Sequence, residues 1–313
     1  MAARRKRLAA ISIGGLLIVG CALFYVKYFM LRSIGSGPAG PAVAAEPFAE
    51  IWTDRQVRLV GIGDSVTAGL GANTQSHTYF NRLIANPDDE FADMQGRSLS
   101  KVLPNLVSDN FAISGSTSRD HLNVIDDRLE MQSPDEFGLV VMTSGGNDLI
   151  HNYGRTAPRE CAMYGATLAQ AEPWIDAFHV RLDEMLTKID ASFPGGCEIF
   201  LADIYDPTDG IGDAPSVYLP DWPDGLAIHA RYNKVINEVA AGHPNVHVVP
   251  LYQNFLGHGA HSGQFWRSTY DAEDPHYWFF ENIEDPNDRG YDAIRRVFLN
   301  AIVENSQLVP AER

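Results

Sequence analysis

Cysteine is scarce in this chain: Cys21, Cys161 and Cys197 are the only three in 313 residues. Their spacing fits no metal-binding pattern. Two of them lie beyond the N-terminal run, so the sequence admits one disulfide, Cys161–Cys197, or two idle thiols. Repeats with a period of 20–50 residues are absent, which argues against a solenoid or propeller. Bases are also in short supply, with 24 Lys and Arg against 40 Asp and Glu and a formal charge of −16. Acids are missing from residues 1–32, which hold six of the bases. The rest of the chain therefore sets 18 bases against 40 acids, a formal charge of −22. Such a surface repels nucleic acid and anionic headgroups. It suits neutral substrates, or simply keeps an exported domain soluble.

The N-terminus opens with Arg4, Arg5, Lys6 and Arg7, and an uncharged run follows from Leu8 to Val26. As a helix that run is roughly 28 Å long, close to the hydrocarbon thickness of a bilayer. The basic flank favours a cytoplasmic N-terminus and places the rest of the chain outside. An uncleaved anchor over residues 1–32 is the favoured reading. A cleaved signal peptide is a second, though its apolar core is normally shorter. A third uses Ile18-Val19-Gly20-Cys21, which resembles the cleavage box of bacterial lipoproteins and would put lipid on Cys21. The chain stays apolar after Cys21, which argues against it. All three export the domain to the periplasm or beyond. Residues 33–47, rich in Gly, Pro and Ala, read as a flexible linker. The folded domain is expected over 48–313.

Apolar runs then alternate with helical patterns. Strands are expected at Val57–Ile62, within Asn105–Ile113, and at Gly138–Met142, Cys197–Ile204 and Val246–Leu251. Helices are expected at His77–Ala85, Arg119–Leu129, Pro173–Ile189 and Leu226–Ala241, with a last one from Asn287 or Asp288. Strand and helix repeated five times predict an α/β fold: a five-stranded parallel sheet with helices on both faces. Ligands of such sheets bind at the carboxyl ends of the strands.

Three segments fall at that edge. Gly63-Asp64-Ser65-Val66 follows the first strand, Ser114-Gly115-Ser116 the second, and Gly145-Gly146-Asn147-Asp148 the third. A lipase-type GxSxG elbow is absent, because Thr67 stands at the second glycine. In order and on successive strands, the three segments resemble the GDSL, or SGNH, hydrolase family, over Val57 to the last helix. The resemblance implies a flavodoxin-like strand order and a serine esterase acting through an acyl-enzyme on Ser65, without metal or organic cofactor. It also implies an oxyanion hole built from the Ser65 and Gly115 N–H groups and the Asn147 amide. Asp64 and Asp148 are expected to fix loops by accepting backbone N–H bonds. A small-molecule or carbohydrate ester is the expected substrate, and an acyltransferase on the same site shares the acyl-enzyme.

The base departs from the family. Its Asp-x-x-His before the final helix reads here Asn282-Ile283-Glu284-Asp285, so Asp285 stands at the histidine and Asn282 at the aspartate. An aspartate of ordinary acidity is a poor base toward a hydroxyl. The expected substitute is His276, with Glu273 three residues before it, Asp274 nearer, and Tyr277–Asp285 looping out as an insertion. His258 and His261, after the fifth strand, are alternatives, with Asp285 then orienting the imported ring. A chain with no catalytic histidine is a binding module that kept only the fold.

Two further stretches carry expectations. Asp206-Pro207-Thr208-Asp209-Gly210-Ile211-Gly212-Asp213 is rich in oxygen ligands but lacks EF-hand spacing, and reads as a solvated turn. Phe265, Trp266, Tyr270, Tyr277, Trp278, Phe279 and Phe280 form either an apolar substrate wall or core under a long loop.

Overall fold

The computed structural model describes residues 2–310, with side chains from residue 12 onward. Its strands are β1 (Gln56–Ile62), β2 (Leu106–Asn110), β3 (Glu136–Met142), β4 (Cys197–Ala202) and β5 (Val246–Val249). All pair in parallel, in the order β2-β1-β3-β4-β5. This is the five-stranded, flavodoxin-like sheet expected from the sequence. The strand order reverses between β1 and β3, so a crevice opens at their carboxyl ends.

Each strand feeds two cores because successive side chains point to opposite faces. Val57 and Leu59 of β1, with Leu139 and Val141 of β3, bury against one layer. Val60 and Ile62, with Val140 and Met142, bury against the other. The helices in chain order are α1 (Ala2–Tyr25), α2 (Ser65–Ala68), α3 (Tyr79–Ile84), α4 (Leu99–Val102), α5 (Ser118–Arg128) and α6 (Gly146–Ile150). They continue with α7 (Leu168–Ala191), α8 (Gly225–Ala241), α9 (Leu251–Phe255) and α10 (Asp288–Asn305). The first layer is α3 and α10, and the second is α5, α7 and α8.

Local chemistry moves some boundaries. The helix expected at His77–Ala85 is shortened because Thr78 caps it: its hydroxyl accepts from Asn81 N at 3.3 Å, and α3 starts at Tyr79. The helix expected from Pro173 begins earlier, at Leu168. Thr167 and Gln170 form a capping box there, a signal that outweighs the proline.

Residues 33–47, expected as a flexible linker, are laid along the domain instead. Ser33 O accepts from Tyr277 N at 2.8 Å, and Arg289 donates to Ser36 O and Gly37 O at 2.7 and 2.8 Å. Ala39 N donates to Asp292 at 3.0 Å, while Ala39 and Val43 enter the first core. Small residues read as flexible are here a means of close approach. A Cβ on Gly40 would stand 2.7 Å from the Ala293 backbone of α10.

The disulfide is not formed. Cys161 and Cys197 are both buried free thiols, the first beside Arg181 and the second beside Asp190.

Candidate active site

β1 ends at Ile62 and the chain turns sharply at Gly63, whose φ is +152°. A side chain there would meet Thr143 Oγ1 at 2.3 Å, so glycine lets the turn press against the end of β3. Asp64 then caps α2. Its carboxylate accepts from Val66 N at 3.1 Å and from Thr143 Oγ1 at 2.9 Å. Burial, partly offset by these bonds, pushes the Asp64 carboxyl up to about 6. Ser65 is the first residue of α2, nearly buried, with its backbone N–H at the helix N-terminus.

The Ser65 hydroxyl faces Asp285. Burial raises the Asp285 carboxyl above the usual aspartate range, and the Ser65 proton and the Asn282 amide partly restore its charged form. Asn282 donates to Asp285 Oδ2 at 2.5 Å. Oδ1 is buried with no hydrogen-bond partner, so Ser65 and Asp285 are neighbours without a formed hydrogen bond between them. Glu284 borders the same cavity and rises to about 7, first through burial and then through the Asp285 and Asp64 charges. Tyr153 OH donates to its carboxyl, and Tyr205 OH to its backbone carbonyl at 2.5 Å. Three carboxyls thus gather around one serine, each with its proton affinity raised.

The expected loop-fixing aspartates behave as such, for Asp148 accepts from Ser118 N at 2.8 Å. Asn147 borders the cavity, and its amide donates one hydrogen to Ser116 O at 2.9 Å, leaving a second. Ser116 in turn donates to Gly63 O at 3.1 Å. Gly115 sits in this same turn with φ +81°. It is exposed, and it borders a shallow depression with Arg119, His151 and Glu160 rather than the Ser65 cavity. A buried histidine that sequence reasoning passed over ties the loops together. His121 bonds Ser116 Oγ at 2.8 Å and Ser144 Oγ at 2.9 Å, and burial pushes it down to about 4, so it stays neutral.

The three candidate histidines lie elsewhere. The expected insertion does not loop out and leave His276 beside Ser65. Instead Phe279 and Pro286 form an antiparallel bridge, and Phe280 N donates to Asp285 O at 2.7 Å. That closed loop carries Asp285, not His276, to the serine. His276 bonds Asp274 at 2.5 Å and packs against Gly35. His258 stacks on Trp278 with centroids 3.4 Å apart, and His261 Nε2 bonds Asp213 at 2.8 Å. Among the described residues the only imidazole at the cavity is His229, whose Nε2 bonds Ile204 O at 2.8 Å.

Ser65 lines a cavity of about 160 Å³. Much of its wall is apolar: Leu149, Ile150, Val217, Leu219, Trp222 and Leu226. None of the aromatics expected as a substrate wall contributes. Tyr277, Trp278 and Phe279 are core, whereas Phe265 and Trp266 are exposed. The first half of the acidic 206–213 loop is buried rather than solvated, at Asp206, Thr208 and Asp209, while its second half is partly exposed. Asp206 accepts from Thr208 N and Gly210 N at 2.9 and 2.8 Å, and Asp209 is 1% exposed. Among the described residues no cluster of acids, histidines or cysteines forms a metal site.

The model of the GDSL-like lipase/acylhydrolase family matches residues 62–293. The chain belongs to this family. Solved relatives repeat the fold across it. An extracellular lipase from Streptomyces rimosus is 19% identical, with a TM-score of 0.53 over 78% of this chain and 99% of that one. An acetylxylan esterase from Geobacillus stearothermophilus is 16% identical, with a TM-score of 0.51 over 83% of this chain and 100% of that one. A lipolytic G-D-S-L protein from Veillonella parvula is 13% identical, at a TM-score of 0.50 over 80% and 100%. No curated protein matches the sequence.

Proposed function

We propose that this GDSL-family protein is an exported, membrane-tethered serine esterase that hydrolyses carboxylic esters through an acyl-enzyme on Ser65, with Asp285 as the base. The observation that carries the reading is the buried Asp285 carboxyl beside Ser65, which itself lines a cavity with largely apolar walls. The separate objection to an aspartate base is its weak basicity. Burial answers it, because it disfavours the charged form and so raises the proton affinity of the Asp285 carboxyl. A loose contact in the free enzyme is compatible with a base that tightens on its substrate.

In the first half-reaction the Ser65 proton passes to Asp285 as Oγ attacks the ester carbonyl carbon. Negative charge develops on the carbonyl oxygen. The Ser65 N–H and the second Asn147 amide hydrogen support this reading as donors, whereas Gly115, exposed on a separate depression, is left out of it. Collapse breaks the bond to the alcohol, which leaves with the proton from Asp285. Water then gives a proton to Asp285, attacks the acyl carbon and releases the acid, and Ser65 regains its proton. The apolar wall receives the acyl chain. Asp64 fixes the loop, and His121 holds the Ser116 turn that positions Asn147.

The tether is α1. Ser12–Met30 is apolar enough to span a bilayer, with a mean hydropathy of 1.8, and none of it is buried in the domain. Against these stands a second reading, the binding module, favoured by the lack of any imidazole on Ser65 among the described residues. A fluorophosphonate probe separates the two. Labelling of Ser65 that is lost in Ser65→Ala and strongly reduced in Asp285→Asn supports the esterase. Folded protein that never labels supports the binding module.

A further inference from the structure

The chain that leaves α1 does not swing free, and this fixes one face of the domain beside the helix. Trp266 lies against Phe24, Tyr28 and Phe29, with ring centroids at 5.5, 5.4 and 5.9 Å. Phe265 meets Tyr28 edge-on at 5.7 Å, and Gln264 donates to Tyr28 O at 3.0 Å. Even so docked, Phe265 is 58% and Trp266 41% exposed, as are Leu31 at 65% and Ile34 at 52%. The face is also electrically distinct. Ser262–Tyr270 holds Arg267 and no acid, and Lys27 and Arg32 flank it, in a domain of formal charge −22. Aromatic rings with a few bases, at the end of an apolar span, are what the headgroup layer selects.

The same face is bonded to the wall of the Ser65 cavity. Asp209 accepts from Gly257 N, Gly259 N and His261 N at 2.9, 2.7 and 2.8 Å. Ala260 N donates to Pro207 O at 2.8 Å, and His261 bonds Asp213 at 2.8 Å. Arg32 donates to Ser216 O at 2.9 Å. Pro207, Thr208, Ala214, Val217 and Leu219 are cavity wall. Hydrogen bonds, most of them made by the side chains of Asp209, His261 and Arg32, therefore join the exit of the helix, the aromatic face and the cavity wall.

We propose that Phe265 and Trp266 sit in the headgroup layer of the bilayer that α1 spans, and that this holds the cavity against the membrane so that its ester substrate is an acyl lipid drawn from that bilayer. The inference rests on the reading of α1 as an anchor and of Ser65 as an esterase serine.

The full chain, reconstituted in phosphatidylcholine vesicles, tests it. With phosphatidylcholine brominated high on the acyl chains, wild-type fluorescence is expected to fall further than that of Trp266→Phe. The excess should approach one fifth of the emission, since Trp266 is one of five tryptophans. Equal quenching of the two overturns the proposal. Phe265→Ala/Trp266→Ala is expected to lower turnover of a medium-chain ester dissolved in the vesicles on the order of tenfold. Turnover of soluble p-nitrophenyl acetate should be unchanged. Equal loss on both substrates, or loss on neither, overturns it. Release of the chain by alkaline carbonate removes the anchor reading and the proposal together, whereas retention without excess quenching removes the proposal alone. Lack of all esterase activity removes the lipid substrate but leaves quenching to decide the docking. A second copy covering the face would appear as a dimer in detergent that Trp266→Ala dissociates, and would also overturn it.

Discussion

Asp285 turns its carboxyl toward the Ser65 hydroxyl from the residue just before the proline that precedes α10. The relationship joins the first and last strand-end loops of the sheet, which are 220 positions apart in the chain. It makes the carboxylate the first group to test. Asp285→Asn keeps the shape and removes the base. The expected loss in kcat/KM on p-nitrophenyl acetate is about 10²–10⁴-fold, the range of general-base catalysis. Replacing Asn282→Asp and Asp285→His together supplies a carboxylate and an imidazole at family spacing, and should restore or exceed wild-type turnover. Full activity in Asp285→Asn would remove it from the chemistry.

Asn147 lines the cavity, is held by Ser116 O through one amide hydrogen, and has a second hydrogen to give. Asn147→Ala is therefore expected to lower kcat by about 10²–10³-fold with little change in KM, because the lost bond strengthens only as the oxyanion forms. A loss confined to KM would place Asn147 in ground-state binding instead.

Most of the sheet was legible in the sequence because β1, β3, β4 and β5 are short apolar runs, whereas the edge strand β2, Leu106–Asn110, is half polar and exposed. The three strand-end segments were legible because Gly63, Ser65, Gly115 and Asn147 fall at successive carboxyl ends. The base was half legible. Asp285 was seen to occupy the histidine's place, yet its ordinary acidity counted against it. What changes that acidity is burial beside Glu284 and Asp64, and a linear sequence does not carry burial. His276 fails for a related reason: the 277–285 segment is rich in aromatics and reads as an extrusion, but Tyr277, Trp278 and Phe279 go into the core and pull the loop closed. The residues 33–47 mislead because glycine and alanine signal freedom in sequence and close packing in space.

The carboxyl cluster predicts a pH profile. A base must be ionised, so kcat/KM should fall as pH drops through the raised Asp285 value. The Asp285 charge helps to raise Glu284 to about 7, so Asp285 ionises first and Glu284 is still protonated when it does. Glu284→Gln, which mimics that neutral form, should therefore leave the acid limb where it is. A limb that moves to lower pH would mean that Glu284 is charged while Asp285 titrates.

Glu284 also links folding to pH. Its carboxyl lies at about 7 in the folded protein against an ordinary 4.5, so the folded state holds more protons between those values. Stability contributed by this group is complete below about pH 4.5 and is lost as pH rises through about 7. Thermal melts should show Glu284→Gln gaining on wild type as pH rises from 5 to 8. Parallel melting profiles would contradict the shift.

The apolar wall should set acyl length. Leu149, Leu219 and Leu226 line the cavity beyond Ser65, and each buried methylene of a substrate is worth about 0.8 kcal/mol there. Acetyl esters need little of this space, whereas a chain of several methylenes needs most of it. Leu226→Trp takes up part of the cavity and should leave kcat/KM for p-nitrophenyl acetate within about threefold, while that for the octanoate falls on the order of tenfold or more. Equal effects on the two esters would mean that the acyl chain lies outside the cavity and that its apolar wall holds the alcohol side instead.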